Sequence, residues 1–413
     1  MKKLFLTAAL SLAALVAVNA QSFTTYSLNN SKLHVYQTMD AMGDVSFIIE
    51  GDKSLVILEQ PLFWENIKEF NTYVKSLNKP IDKVVANYHS LGLADYPQSK
   101  VMMPSAMVEF GKSDMAKGMI AKFEKGFGEA ADFRPHKKAK GFDVPSTQTW
   151  AGVEMKFTPG AKSDFPAASI LIDGKAYYTH FSPSISHASP LQVRSRESIN
   201  AILAELQAIK ASGAEYVVGS HGAPATQKEV AFQIKYYNTV KKLLKQCKSA
   251  DMFGQRLIVA FPAATGAENI KAVAKALYPN EVANPEKEAL RERMNDYLNM
   301  VSNLDETIAE GLWAKSGEVS IITPRGHFFG TKSIMNDFLK KTFSKFQYRK
   351  LSSLSEVINV YGDSANIQLY WMFDTIDAKG KKNQGRGRES LIFAKENGEW
   401  RLVHVHYSPA PAK

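Results

Sequence analysis

Gly398-Glu399-Trp400-Arg401-Leu402-Val403-His404-Val405-His406-Tyr407-Ser408 closes the chain with an alternation that has no helical period. Side chains in a strand point to opposite faces in turn, so period two predicts Trp400, Leu402, His404 and His406 on one face. Arg401, Val403, Val405 and Tyr407 are then expected on the other. Upstream, 347–351, 365–375 and 389–394 are further β-rich runs. Arg386 and Arg388 alternate to a common face, and 379–388 reads as a basic, Gly-containing hairpin tip that forms a loop. Before these strands come a helix over 332–341, a turn at Pro324-Arg325-Gly326 and a strand over 318–323. A charged helical tract starts at Pro285, which suits a first helical turn, and runs to about Trp313. Helices followed by a curved antiparallel sheet predict an α+β unit, a cone with an internal pocket.

The N-terminal half alternates differently. Residues 45–50 and 54–59 are β-rich and joined by Gly51-Asp52-Lys53, which predicts a hairpin. Phe63, Ile67, Phe70, Val74 and Leu77 recur at three- and four-residue steps between Pro61 and Pro80, the pattern of one apolar helix face. A strand over 81–86 runs into Asn87-Tyr88-His89. The order recurs downstream: strands at 153–157, 168–173 and 175–179, a helix over 198–211, then Tyr216-Val217-Val218 ending in Gly219-Ser220-His221-Gly222. Histidine twice stands where a strand gives way to a loop. Such alternation predicts an α/β layered domain with its site along one sheet edge. Between the halves, 248–293 reads as a helical connector.

At 413 residues the chain exceeds one compact domain, and 45% hydrophobic with 22% charged residues is globular composition. Lys2 and Lys3, an apolar run over 4–18 and Val18-Asn19-Ala20 have the form of a signal peptide over 1–20. The run is shorter than the roughly 20 residues that span a bilayer, so a membrane anchor is not expected, and the mature protein is expected to be periplasmic or secreted. Its loss takes the net charge from +10 to +8. The lysines at 241, 242, 245 and 248 flank a helix as a solvated face, and no nucleic-acid partner is expected. With Cys247 alone, neither an internal disulfide nor a multi-cysteine metal site can form.

Phe47-Ile48-Ile49-Glu50-Gly51-Asp52 leading to Val56-Ile57-Leu58, the strand into His89, Thr158-Pro159-Gly160 and Gly219-Ser220-His221-Gly222 together resemble the metallo-β-lactamase fold superfamily. The resemblance implies an αββα sandwich over 21–247. In the family a strand ends in H-x-H-x-D-H to bind two metals. Here His89 matches the first histidine, but Leu91, Leu93 and Ala94 stand at the following ligand positions and Ala161 at another. His180 stands where the family has an aspartate, and His221 keeps its place. Two readings stay open. His89, His180 and His221 are hydrogen-bonded remnants of a depleted site with no cofactor, or they hold one zinc with a water, with Asp95 or His187 as further partners.

Residues 319–326 with Gly330, Tyr361-Gly362-Asp363-Ser364-Ala365 and the terminal stretch quoted above resemble the SnoaL-like branch of the nuclear transport factor 2 superfamily. That implies a cone over 294–413 whose pocket binds or converts a small molecule, with a homodimer open through its sheet. Trp371, Arg388, His404 and His406 are the pocket candidates, a stacking wall, an anion fork and two imidazoles, against the alternative of sheet-face partners. The expectation is an exported two-domain protein that binds a small molecule. The alternative is a one-zinc hydrolase.

Overall fold

The hairpin expected around Gly51 is the centre of the first of three sheets in the computed structural model, which describes residues 22–134 and 139–409. The expected signal peptide lies outside these residues. The first sheet runs in chain order: β1 (Ser22–Ser27), β2 (Lys32–Gln37), β3 (Val45–Glu50), β4 (Leu55–Leu58), β5 (Ile81–Val85), β6 (Val101–Pro104) and β7 (Lys140–Phe142). Antiparallel pairing holds from β1 to β4, and β4 onward is parallel. The second sheet holds β8 (Ser146–Trp150), β9 (Val153–Pro159), β10 (Ala168–Ile172), β11 (Ala176–Phe181) and β12 (Tyr216–His221) in the order β12-β11-β10-β9-β8.

One core joins the two sheets. Phe47, Ile49 and Val56 of the first meet Phe157, Ile170 and Tyr178 of the second, with the Phe47 and Tyr178 rings 5.5 Å apart at 82°. Each such side chain contributes about 1.5–3 kcal/mol by leaving water. Helix α1 (Trp64–Ser76) buries Ile67, Phe70 and Val74, the stripe its periodicity predicts, and Phe70 packs on Tyr36 of the first sheet. Helix α2 (Arg196–Ser212) lies on the second sheet, where Glu205 accepts hydrogen bonds from Thr179, at 2.9 Å, and Ser169. Along β11 the side chains alternate, so Tyr178 enters the shared core while Thr179 turns to Glu205.

The chain divides into two compact units, one of residues up to 185 with 197–237, the other of 186–196 with 238–413. Residues 248–293, expected as a connector, therefore fall within the second unit. Its helices α3 (Ala250–Ala260) and α4 (Ile270–Leu277) pack Ile258 and Ile270 against Leu354, Tyr370 and Met372 of the third sheet. Helix α5 (Pro285–Asn303) starts as Pro285 predicts, with the Asn284 side chain accepting from the Glu286 and Lys287 amides.

The third sheet contains β13 (Ser320–Thr323), β14 (Gly326–Phe329), β15 (Phe346–Tyr361), β16 (Ser364–Asp377), β17 (Lys382–Glu396) and β18 (Glu399–Pro409), ordered β14-β13-β18-β17-β16-β15. Its long strands curve around α5, which buries Leu290, Met294, Tyr297 and Val301 against Ile367, Leu369, Leu391 and Trp400. Two expectations change here. The segment 379–388 is not a loop: β17 begins at Lys382 and pairs with β16 through Arg386 and Arg388. The helix expected over 332–341 is wound mainly as a π-helix, Ile334–Lys340.

A third change concerns faces. Ile392 pairs with His404 but the next residue, Phe393, pairs with Leu402, so Val403 is an extra residue in β18. Such a bulge inverts the alternation downstream of it. Trp400, Leu402 and Val405 are all in the core, with Tyr407 packed against it, and His404 and His406 lie on the opposite face. Among the described residues no helix is long and apolar enough to cross a membrane.

Candidate metal centre

Three strand ends of the first unit build this site, and a buried carboxylate ties two of them. β4 leads directly into Glu59, fully buried, whose Oε1 accepts from the Tyr88 amide at 2.7 Å and whose Oε2 accepts from the His89 amide at 2.9 Å. Tyr178 on β11 donates its hydroxyl to the same Oε1 at 2.5 Å and lies 2.5 Å from Ser220 Oγ on β12. Asn87 fastens the loop to the second sheet: its side chain donates to Ala168 O at 2.7 Å and accepts from the Ala168 amide at 2.9 Å. Gly219 is required by close approach, because a Cβ there would stand 2.3 Å from Ser182 N.

His89, His180 and His221 converge on this platform, each offering one ring nitrogen within 4.8 Å of the others. His89 Nε2 and His221 Nε2 are 3.3 Å apart. The opposite nitrogens face carboxylates. His180 Nδ1 pairs with Asp164 Oδ2 at 2.6 Å, His221 Nδ1 is 3.4 Å from Asp44 Oδ1, and His89 Nδ1 is 3.8 Å from Glu59 Oε2. His180 is further fixed by stacking on Tyr88, with ring centroids 4.2 Å apart and planes 6° apart.

Burial decides the charges. It holds the His221 imidazole down to about 3, helped by repulsion from His89 and His180, and lowers His89 as well. Neutral imidazole is the form that ligates a metal. Burial likewise pushes the Asp44 carboxyl up to about 8, with repulsion from Asp40 adding to it, and raises Glu59.

A tetrahedral zinc ion bonded to nitrogens at 2.0–2.1 Å sets two of them about 3.3–3.4 Å apart. The His89 to His221 edge has that length, so these two nitrogens fit one such ion, with the His180 nitrogen within 4.8 Å of both. Carboxylates behind ligating imidazoles are the usual outer partners, fixing tautomer and ring direction. Asp95 does not join the cluster; it is exposed and bound by Arg134 at 3.0 Å. His187 belongs to the second unit, where its amide donates to Thr265 O. Sequence reasoning missed Asp44, Glu59, Asp164 and Tyr178. The one signal for Glu59 was an acid at the end of the apolar run 55–58.

Comparison with known proteins separates the two halves. Residues 290–413 match the SnoaL-like domain family. This segment is a SnoaL-like domain. Among solved structures it is similar to a nuclear transport factor 2-like superfamily protein from Salmonella enterica serovar Typhimurium, at 38% identity over 31% of this chain and 92% of that one, TM-score 0.29. A putative dehydratase of the same family from Streptomyces avermitilis aligns at 18% identity over 31% of this chain and all of its own (100%), TM-score 0.28. The S. rosetta CaMKII hub aligns at 21% identity over 32% of this chain and 100% of its own, TM-score 0.27. No curated protein matches the chain.

Within the SnoaL-like domain the candidate pocket residues do not gather. Trp371 is buried on the inner face and stacks on Tyr407 at 5.4 Å, whereas Arg388 is exposed. His404 Nδ1 is 2.8 Å from Ser320 Oγ, and His406 is exposed. The inner face holds a polar group that the sequence did not flag. Glu389 accepts from Tyr297 at 3.1 Å, and burial pushes its carboxyl up to about 8. Glu389 Oε2 and Trp371 Nε1 have no hydrogen-bond partner among the described residues.

Proposed function

We propose that the first unit is a metal-dependent hydrolase centre in which His89, His180 and His221 hold one zinc-type divalent ion. The observation that carries this is the 3.3 Å edge between two imidazole nitrogens whose far sides face carboxylates. Helix, sheet, sheet, helix layering and histidines at strand ends support a metallo-β-lactamase-like sandwich. Leu91, Leu93, Ala94 and Ala161 give no ligands for a second ion. When bound, such an ion supplies a Lewis acid and an acidified water for attack on an ester or amide carbonyl. The chain's own residues do the rest: Asp164 orients His180, Glu59 fixes the His89 backbone, and Asp44 places a carboxyl oxygen 4.0 Å from His89 Nε2. Export by a signal peptide over 1–20 to a periplasmic or secreted location belongs to the same reading.

The test is the metal content of the purified mature protein. About one zinc per chain, abolished by His221→Ala, is expected; a metal-free protein that takes up no zinc on titration overturns the reading.

A second reading places small-molecule binding in the SnoaL-like domain, either alone or beside the hydrolase, with a homodimer through its sheet. The partnerless Glu389 Oε2 and Trp371 Nε1 favour it, since buried polar atoms are almost always satisfied and a bound ligand can satisfy these. Glu389→Gln and Trp371→Phe that leave small-molecule binding unchanged would remove it.

A further inference from the structure

Resting on the small-molecule reading of the SnoaL-like domain, we infer that its inner face takes a neutral ligand carrying a carboxamide or hydroxyl group, held between Glu389 Oε2 and Trp371 Nε1. Glu389 and Trp371 are only 7% and 5% exposed, and these two atoms are buried with no hydrogen-bond partner among the described residues. Buried polar atoms are satisfied in the large majority of cases, so two orphans on one face mark a place for a further donor and acceptor. Register sets them side by side. Trp371 pairs with Gly387 on β17, and Glu389, two residues on, projects from the same face and pairs with Tyr407 on β18. The Trp371 ring in turn stacks on Tyr407, 5.4 Å between centroids. Glycine makes the room: a Cβ at Gly387 would stand 2.1 Å from Trp371 Cζ2, so the indole lies over bare backbone there. Tyr297 of α5 holds Glu389 in place, its hydroxyl donating to Oε1 at 3.1 Å. Access is at the start of β17, where Gly385 is exposed and its partner Phe373 half-buried, while Gly387 and Glu389 beyond it are buried.

The two orphan atoms define the ligand's chemistry. Trp371 Nε1–H only donates and needs an acceptor, which an ammonium group lacks. No Lys, Arg or His among the described residues acts on Glu389, so an anionic ligand meets no countercharge beside it. Arg325 acts on Tyr407, one strand over, and is itself exposed. A carboxamide supplies both partners at once: its carbonyl accepts from Trp371 Nε1, and its N–H donates to Glu389 Oε2. A hydroxyl does the same with one atom. Each group can donate and accept, so each serves Glu389 whether its carboxyl is ionised or protonated.

The experiment titrates the full chain with benzamide, acetophenone and α-methylstyrene, molecules of nearly one shape that offer donor and acceptor, acceptor only, and neither. Affinities come from ligand-observed NMR. Trp371 is followed by its indole N–H resonance in 15N-labelled protein, assigned as the one of five that Trp371→Phe removes. Benzamide is expected to move that resonance and to bind about 2–10-fold more tightly than acetophenone, with a similar step from acetophenone to α-methylstyrene, one hydrogen bond separating each pair. Glu389→Leu should equalise benzamide and acetophenone, and Trp371→Phe should equalise acetophenone and α-methylstyrene. Unchanged α-methylstyrene affinity in each variant shows that the folded inner face persists; if a variant does not fold, the ranking on the unmodified chain decides. Molecules that move the Trp371 resonance without that ranking, or benzylammonium binding more tightly than benzamide, overturn the inference and leave the small-molecule reading standing. A Trp371 resonance that none of them moves overturns both, the two orphan atoms then being served by buried water.

Discussion

His89 and His221 are 132 residues apart in sequence and 3.3 Å apart in space, while His404 and His406 are near neighbours on one strand, His404 at hydrogen-bond distance from Ser320 and His406 exposed. The first pair sits where loops leave parallel-ordered strands, and the sheets gather those ends at one rim. The second pair sits within a continuous antiparallel ladder, where one bulge is enough to turn both rings out of the core. In this chain distant histidines meet where strands stop. A second contrast is in charge: the N-terminal site pairs neutral imidazoles with carboxyls, whereas the C-terminal inner face buries a lone carboxyl.

The largest test of the contrast is ligand loss. His89→Ala should lower zinc affinity by on the order of a thousandfold, because one of three protein ligands disappears. His404→Ala should leave it within about twofold, both measured by competition with a chromophoric chelator. Equal losses would break the comparison.

Next comes pH. Glu389 has a folded-state value raised from 4.5 to about 8, so the folded state holds a proton that the unfolded chain releases. Its contribution is fully present below about pH 4.5 and is lost as pH rises toward 8. Glu389→Gln should flatten that fall in urea-unfolding midpoints, by an amount of the order of a few kcal/mol at the alkaline end. His221 works in the other direction: its value is depressed to about 3, so its contribution is present above about 6.5 and is lost as pH falls toward 3.

Asp164→Asn should cost about 10–100-fold in zinc affinity while leaving stability nearly unchanged, since it acts through His180. The measurement is the same chelator competition. A smaller effect is expected at Gly387, where a Cβ would come within 2.1 Å of the Trp371 ring. Gly387→Ala should destabilise the C-terminal unit by about 1–3 kcal/mol, read from the shift in urea midpoint. Smallest of all, His406→Ala should change stability by under about 0.5 kcal/mol, because its side chain is exposed.

Much of the fold was legible. The stripe of Ile67, Phe70 and Val74, the hairpin at Gly51 and the proline at the head of α5 are local patterns, set by neighbours a few residues away. Less of the site was. His89, His180 and His221 were readable as histidines at strand ends, but Asp164 lies in a bend and Asp44 in an isolated bridge to His221, a pairing between segments far apart in sequence. Glu389 sat among alternating residues and gave no sign that its carboxyl would be enclosed without a cation.

The sequence by itself determined the two-part order, the element types and the SnoaL-like ending, because helix and strand periods follow from backbone geometry within a few residues. The tertiary structure alone decided which histidines meet, which carboxylates stand behind them and which way β18 faces after Val403. Those outcomes depend on strand order and register between distant segments, and no local period encodes them.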